Sequence, residues 1–189
     1  MKAISFIISP LVAASSMADA AYEFKALGSA SPIEPGSINA NGGKFWIGKE
    51  TRTHCPSSVE DEGRCPMGKV TALIIHKQNG TSSLNTLTPG DQRVYIGPTG
   101  AFSFSHPQSL STPLGSIVDG FELKWESDGL IHLTNKAGAW RACPAGEDGK
   151  DLYQVYAAID GFKMRNCLEF SAVTGVPRDV PAEPVWQYD

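Results

Sequence analysis

The sequence has no run of eleven or more residues that keeps a clean 3.6-residue apolar period free of glycine and proline, apart from its first residues. That leaves no material for a helical bundle or a coiled coil. No apolar run reaches the roughly 20 residues that a spanning helix needs, so no membrane span is expected. There is no basic excess, since 16 Lys and Arg stand against 20 Asp and Glu for a formal charge of -4. A positive face for nucleic acid or for an anionic membrane is therefore not expected. The signatures of common reactive centres are missing too: GxSxG, GxGxxG, a P-loop and HExxH. His54 stands beside Cys55, but no CxxC or HxxxH spacing completes a tetrahedral metal shell, and no metal or other cofactor is expected.

What is abundant is chain punctuation. Glycine and proline make 32 of the 189 residues, about 17% against an average near 12%. Both disfavour helix interiors, so the composition leans towards short strands and turns. The first twenty residues read as a secretory leader. Lys2 supplies the positive start, Ala3 to Ala14 the apolar run, and Ala18-Asp19-Ala20 the small-residue cleavage site. A cut after Ala18 is the alternative. Residues 21–189 then form one domain, long enough to bury on the order of 70% of its unfolded surface. Its four cysteines, Cys55, Cys65, Cys143 and Cys167, read as two disulfides in an oxidising compartment. Three pairings exist; Cys55–Cys65 with Cys143–Cys167 is favoured because it closes the smallest loops.

Five segments repeat one pattern, a short alternating strand, a turn at glycine and a returning strand. They run through Asn41-Gly42-Gly43 into 44–47, from 71–75 through Asn79-Gly80 to Leu84, and from 93–96 through Pro98-Thr99-Gly100 to 101–104. The last two run from 121–126 through Ser127-Asp128-Gly129 to 130–134, and from 154–159 through Asp160-Gly161 to 162–164. The glycine spacing is irregular, which excludes a strict repeat array. The expected fold is all-β: a single domain of antiparallel hairpins forming a β-barrel of β-trefoil-like kind, with a two-sheet β-sandwich as the alternative. Residues 174–184, with Pro177, Pro181 and Pro184, read as a loop or extended tail. Val185, Trp186 and Tyr188 are expected to dock back on the core.

Asn79-Gly80-Thr81 is the sole N-glycosylation sequon, placed at a predicted hairpin tip. Trp46 lies between Phe45 and Ile47, so if those face the core it faces solvent beside Lys44. A flat apolar face with one donor suits sugar stacking, which makes Trp46 the candidate carbohydrate contact; covering a barrel end is the plainer alternative. Trp125, Trp140 and Trp186 read as core. The four histidines, His54, His76, His106 and His132, are scattered. Glu122 and Glu126 alternate with Lys124 as a solvated face rather than as the acid pair of a glycosidase. Residues Glu147-Asp148-Gly149-Lys150-Asp151 read as a charged turn, lacking the spacing of a calcium loop.

The order of several short motifs resembles the fungal phialide-type cell-wall proteins (PhiA-like), a family also known as IgE-binding proteins. The motifs are Cys55-Pro56, Cys65-Pro66-Met67-Gly68 with Thr71, Gly90-Asp91-Gln92-Arg93-Val94-Tyr95-Ile96 and Pro98-Thr99-Gly100-Ala101 with Phe104. Asp119-Gly120-Phe121, Ala142-Cys143-Pro144, Gln154-Val155-Tyr156-Ala157-Ala158, Cys167 and Trp186-Gln187-Tyr188 continue it. Two positions depart from the pattern: Asp91 stands where a second glycine is usual, and Gly97 where an aspartate is usual. The resemblance implies a secreted, cell-wall-associated, non-enzymatic protein of filamentous fungi, in a family linked to conidium and phialide development and to allergenicity. It supplies no catalytic residues. The expected partner is wall polysaccharide; a secreted effector meeting a host protein and a hydrolase with a hidden site are the alternatives. A monomer is expected.

Overall fold

The computed structural model describes residues 20–28, 32–146, 151–174 and 182–189. The leader through Asp19, residues 147–150 of the charged turn and residues 175–181 of the proline-containing tail lie outside the described residues.

Among the described residues, sixteen short strands and one helical turn succeed one another. They are β1 (Ala21–Tyr22), β2 (Lys25–Leu27), β3 (Gly36–Ser37), β4 (Asn39–Asn41), β5 (Lys44–Ile47), β6 (Thr53–His54), α1 (Ser57–Glu60), β7 (Leu73–His76) and β8 (Thr81–Leu84). Then come β9 (Arg93–Ile96), β10 (Phe102–Phe104), β11 (Phe121–Trp125), β12 (Ile131–Asn135), β13 (Trp140–Pro144), β14 (Tyr153–Ala157), β15 (Leu168–Thr174) and β16 (Gln187–Tyr188). Four of the five expected hairpins form, as β4–β5, β7–β8, β9–β10 and β11–β12. Gly42 and Gly43 both take positive φ, 63° and 72°, the conformation a two-residue antiparallel turn demands. The fifth does not form. Residues 162–164 are irregular, and β14 pairs instead with β13 and β5.

The ladder order is β1-β7-β8-β9-β10-β5-β14-β13-β15-β12-β11, with β2, β3 and β4 attached at its sides. It is open, which corrects the barrel expectation. Among the described residues β1 pairs only with β7 and β11 only with β12. Where closure would occur, the amide of Phe121 donates to the carbonyl of Gly80 at 2.9 Å, so β11 meets a turn rather than a strand. The alternative, a sandwich-like fold, fits. β15 joins the two layers: Leu168 to Phe170 pair with β13, whereas Ala172 lies between Leu133 of β12 and Ala26 of β2. A strand shared by two sheets makes the corner of such packings.

The inner faces meet in one apolar core. Phe102 stacks on Phe45 with centroids 4.1 Å apart, and Phe121 of the second layer approaches Phe102 at 6.1 Å. Trp140 packs on Phe102 at 4.7 Å, and its indole nitrogen donates to the Leu133 carbonyl at 2.7 Å across the turn between β12 and β13. Trp140 is core, as expected. Trp125 is not: it is 57% exposed, at the end of a strand whose core-side residues lose burial in turn from Phe121 through Leu123. Val185 and Tyr188 are buried, and Trp186 is half-buried.

The structure pairs Cys55 with Cys65 and Cys143 with Cys167. The polar segment inside the first bridge winds into α1 and buries Val59.

Candidate functional site

Strands β5, β10 and β9 lie side by side, and their alternation decides what they show outside. Phe45, Phe102, Phe104, Val94 and Ile96 face the core. The residues between them must point the other way. Ser103 lies directly across from Lys44 on one side and from Tyr95 on the other, so Lys44, Ser103 and Tyr95 form a row across three strands on the outer face.

The glycine turn at 42–43 and the segment 105–113 rise on either side of this row. Between them is a cleft of about 500 Å³, open to solvent. Its lining is hydroxyl-rich, with Ser103, Ser105, Ser109, Ser111 and Thr112. Of its two aromatic residues, Phe104 turns its ring to the core, so Tyr95 is the ring on the outer face. Lys44 and His106 also line it, and no carboxylate does among the described residues. The walls are tied down. The Ser105 hydroxyl accepts the Arg93 amide at 2.9 Å, Phe104 donates its amide to the Gly43 carbonyl at 3.1 Å, and the Arg93 guanidinium donates to the Leu110 carbonyl at 3.3 Å. The floor therefore belongs to the sheet, and the far wall is held by a side chain of that sheet.

Trp46 is on the same outer face of β5, two residues beyond Lys44, between Asn39 and Gln154 of the flanking strands. It is half-buried, with its indole nitrogen donating to the Asn41 carbonyl at 2.7 Å and Lys49 Nζ 4.7 Å from its ring centroid. The chain itself thus uses the donor and one ring face, and Trp46 stands beside the cleft rather than in it. The openly exposed tryptophan is Trp125. Nothing in its alternation with Phe121 and Leu123 announced this.

The histidines sit on four different elements: His54 on β6, His76 on β7, His106 in the cleft wall and His132 on β12. The His76 ring shares a hydrogen bond with the Ser83 hydroxyl at 3.0 Å, and His132 Nε2 lies 2.8 Å from the Asp128 carboxylate. The Leu130 amide and then His132 hold the Asp128 carboxyl below its usual range, a local feature of the hairpin tip. Glu122 is exposed and pairs with Lys124 at 3.4 Å. Among the described residues no three His, Cys, Asp or Glu side chains gather as a metal site. A second hollow, of about 280 Å³, lies over the junction of β12, β13 and β15 and is lined by His132, Trp140 and Glu169 among others.

Asn79 is exposed at the β7–β8 tip, where its side-chain oxygen accepts the Thr81 amide at 3.0 Å and the Thr81 hydroxyl at 2.8 Å.

A family model described as "PhiA-like secreted protein" matches residues 22–189. A protein of Arthroderma benhamiae, described as "Uncharacterized secreted protein", is 34% identical over 160 residues, covering 80% of this chain and 76% of that protein. No solved structure matches the chain at a significant level.

Proposed function

The chain belongs to the PhiA-like secreted protein family, and from that premise we propose that this secreted protein works by binding, holding cell-wall polysaccharide in the cleft over β5, β10 and β9. The carrying observation is the lining. A sugar ring offers hydroxyls that need partners all round and a flat C–H face that needs an aromatic. Tyr95 supplies the ring and Ser109, Ser111 and Thr112 the hydroxyls beside it, over a floor in which the buried Ser103 and Ser105 side chains are hydrogen-bonded to Ala101 and Arg93. Among the described residues no carboxylate lines the cleft, and its hydroxyls and ring suit holding a sugar. Trp46 extends the same face as a shoulder, two residues along β5 from Lys44. Wall association is then a consequence of retention, since a secreted protein that grips the polymer stays with it.

Depletion from solution by insoluble chitin, β-glucan and mannan tests this. The wild-type protein is expected to be retained on at least one polymer. Tyr95→Ala should weaken retention roughly tenfold, equivalent to about 1.4 kcal/mol. Trp46→Ala should weaken it less, because Trp46 lies outside the cleft. No retention on any of the three polymers contradicts the reading.

A further inference from the structure

We propose that Asn79 carries an N-linked oligosaccharide and that this glycan covers the open edge of β11. The sequon is presented at a hairpin tip, exposed, with its carbonyl oxygen held by Thr81 and its amide nitrogen facing no acceptor among the described residues. The family is secreted, so the chain passes the compartment where such transfer takes place. In the transfer, a bond forms between Nδ2 of Asn79 and the anomeric carbon of a lipid-pyrophosphate-linked oligosaccharide. The anomeric carbon–oxygen bond breaks, the lipid pyrophosphate leaves, and the amide gives up one proton.

The tip does not stand alone. A Cβ on Gly80 would come within 3.0 Å of the Gly120 nitrogen, and the Gly80 carbonyl takes the Phe121 amide. Asn79 is thus next to the start of β11, the terminal strand of the ladder. The Phe121 amide points away from β12 towards Gly80, so by the two-residue period the backbone groups of Leu123 and Trp125 point outward along the same edge. They lie about 7 and 13 Å further along the strand, within the span of a branched oligosaccharide. Such an edge is a template for pairing with another chain unless something blunts it. Charge does little here, because Glu122 and Lys124 neutralise each other. Trp125, mostly exposed at the far end, adds apolar surface. A glycan rooted at Asn79 supplies the missing cover.

The test uses the full protein secreted by a eukaryotic host. Intact mass should fall by one oligosaccharide on treatment with a peptide N-glycosidase. The Asn79→Gln and Thr81→Ala variants should lack that mass, and Thr81→Ser should keep it. By light scattering over a concentration series, the glycosylated protein should stay monomeric. The glycosidase-treated protein and both sequon variants should rise towards twice the monomer mass, with slower amide exchange at Leu123 and Trp125 in the associated form. An unmodified Asn79 overturns the proposal. A glycan whose removal changes neither association nor exchange overturns its covering role.

Discussion

Gln92 grips the backbone of Tyr188 from both sides. Its side-chain oxygen accepts the Tyr188 amide at 2.7 Å, and its side-chain nitrogen donates to the Tyr188 carbonyl at 2.8 Å and to that of Ser105 at 3.2 Å. A fully buried amide side chain stands in for a strand partner, and the last strand is locked without a ladder on that side. Gln92→Ala leaves three buried backbone groups unpaired. Each such group costs about 1–3 kcal/mol, and the penalties overlap, so a loss of roughly 3 kcal/mol is expected in chemical denaturation. A loss below about 1 kcal/mol would mean the clamp is not formed.

Tyr188 carries a second tie. Its hydroxyl donates to the Val70 carbonyl at 2.8 Å and accepts the Ala72 amide at 3.2 Å. Burial pushes its phenol up to about 12 from 10.0, with the Ala72 bond acting the other way. The folded state therefore holds this proton more tightly than the unfolded chain. Its contribution is complete below pH 10 and is lost as the pH rises through about 12. Tyr188→Phe should cost about 1–3 kcal/mol at neutral pH. It should also flatten part of the alkaline fall in stability between pH 10 and 12, read from denaturation midpoints.

The tryptophans should separate sharply. Trp140→Ala removes a buried indole packed on Phe102 and should cost about 3–5 kcal/mol. Trp125→Ala removes an exposed one and should cost less than about 1 kcal/mol. Equal losses would place Trp125 in the core after all.

Asp91 holds a φ of 48°, in the left-handed region that suits glycine. Its neighbour Gly90 is left-handed too, at 87°. Asp91→Gly should therefore stabilise the protein, by about 0.5–1 kcal/mol once the greater freedom of unfolded glycine is set against the relieved strain. Thermal unfolding of the single variant reads this directly.

Local chemistry was legible from the residues where it acts locally. Asn41-Gly42-Gly43, Asn79-Gly80 and Ser127-Asp128-Gly129 each need positive φ, and each makes its hairpin. The alternation about Phe45 placed Trp46 on the outer face. Non-local facts were not legible. Asp160-Gly161 is a turn like the others, but the residues after it, Phe162-Lys163-Met164, find no strand to pair with, because β13 already occupies that side of β14. β15 does show Leu168, Phe170 and Ala172 at period two, a signal that lacked a glycine turn to draw notice. The exposure of Trp125 and the opening of the ladder depend on how distant segments come together, which no single segment encodes. The cleft was illegible for a related reason: Tyr95 and Ser103 face each other within one expected hairpin, but Lys44 is far from them in the chain, and only the pairing of β5 with β10 completes the row.

The most direct test of that alignment is a backbone amide NMR titration with soluble oligomers of the polysaccharide that retains the protein. Shifts gathered at Gly42, Gly43, Ser103, Ser105 and His106 are what a sugar seated against Tyr95 must produce. Shifts centred on Trp125 or on the hollow beside Trp140, with the cleft amides unmoved, would place the binding face elsewhere and contradict the account.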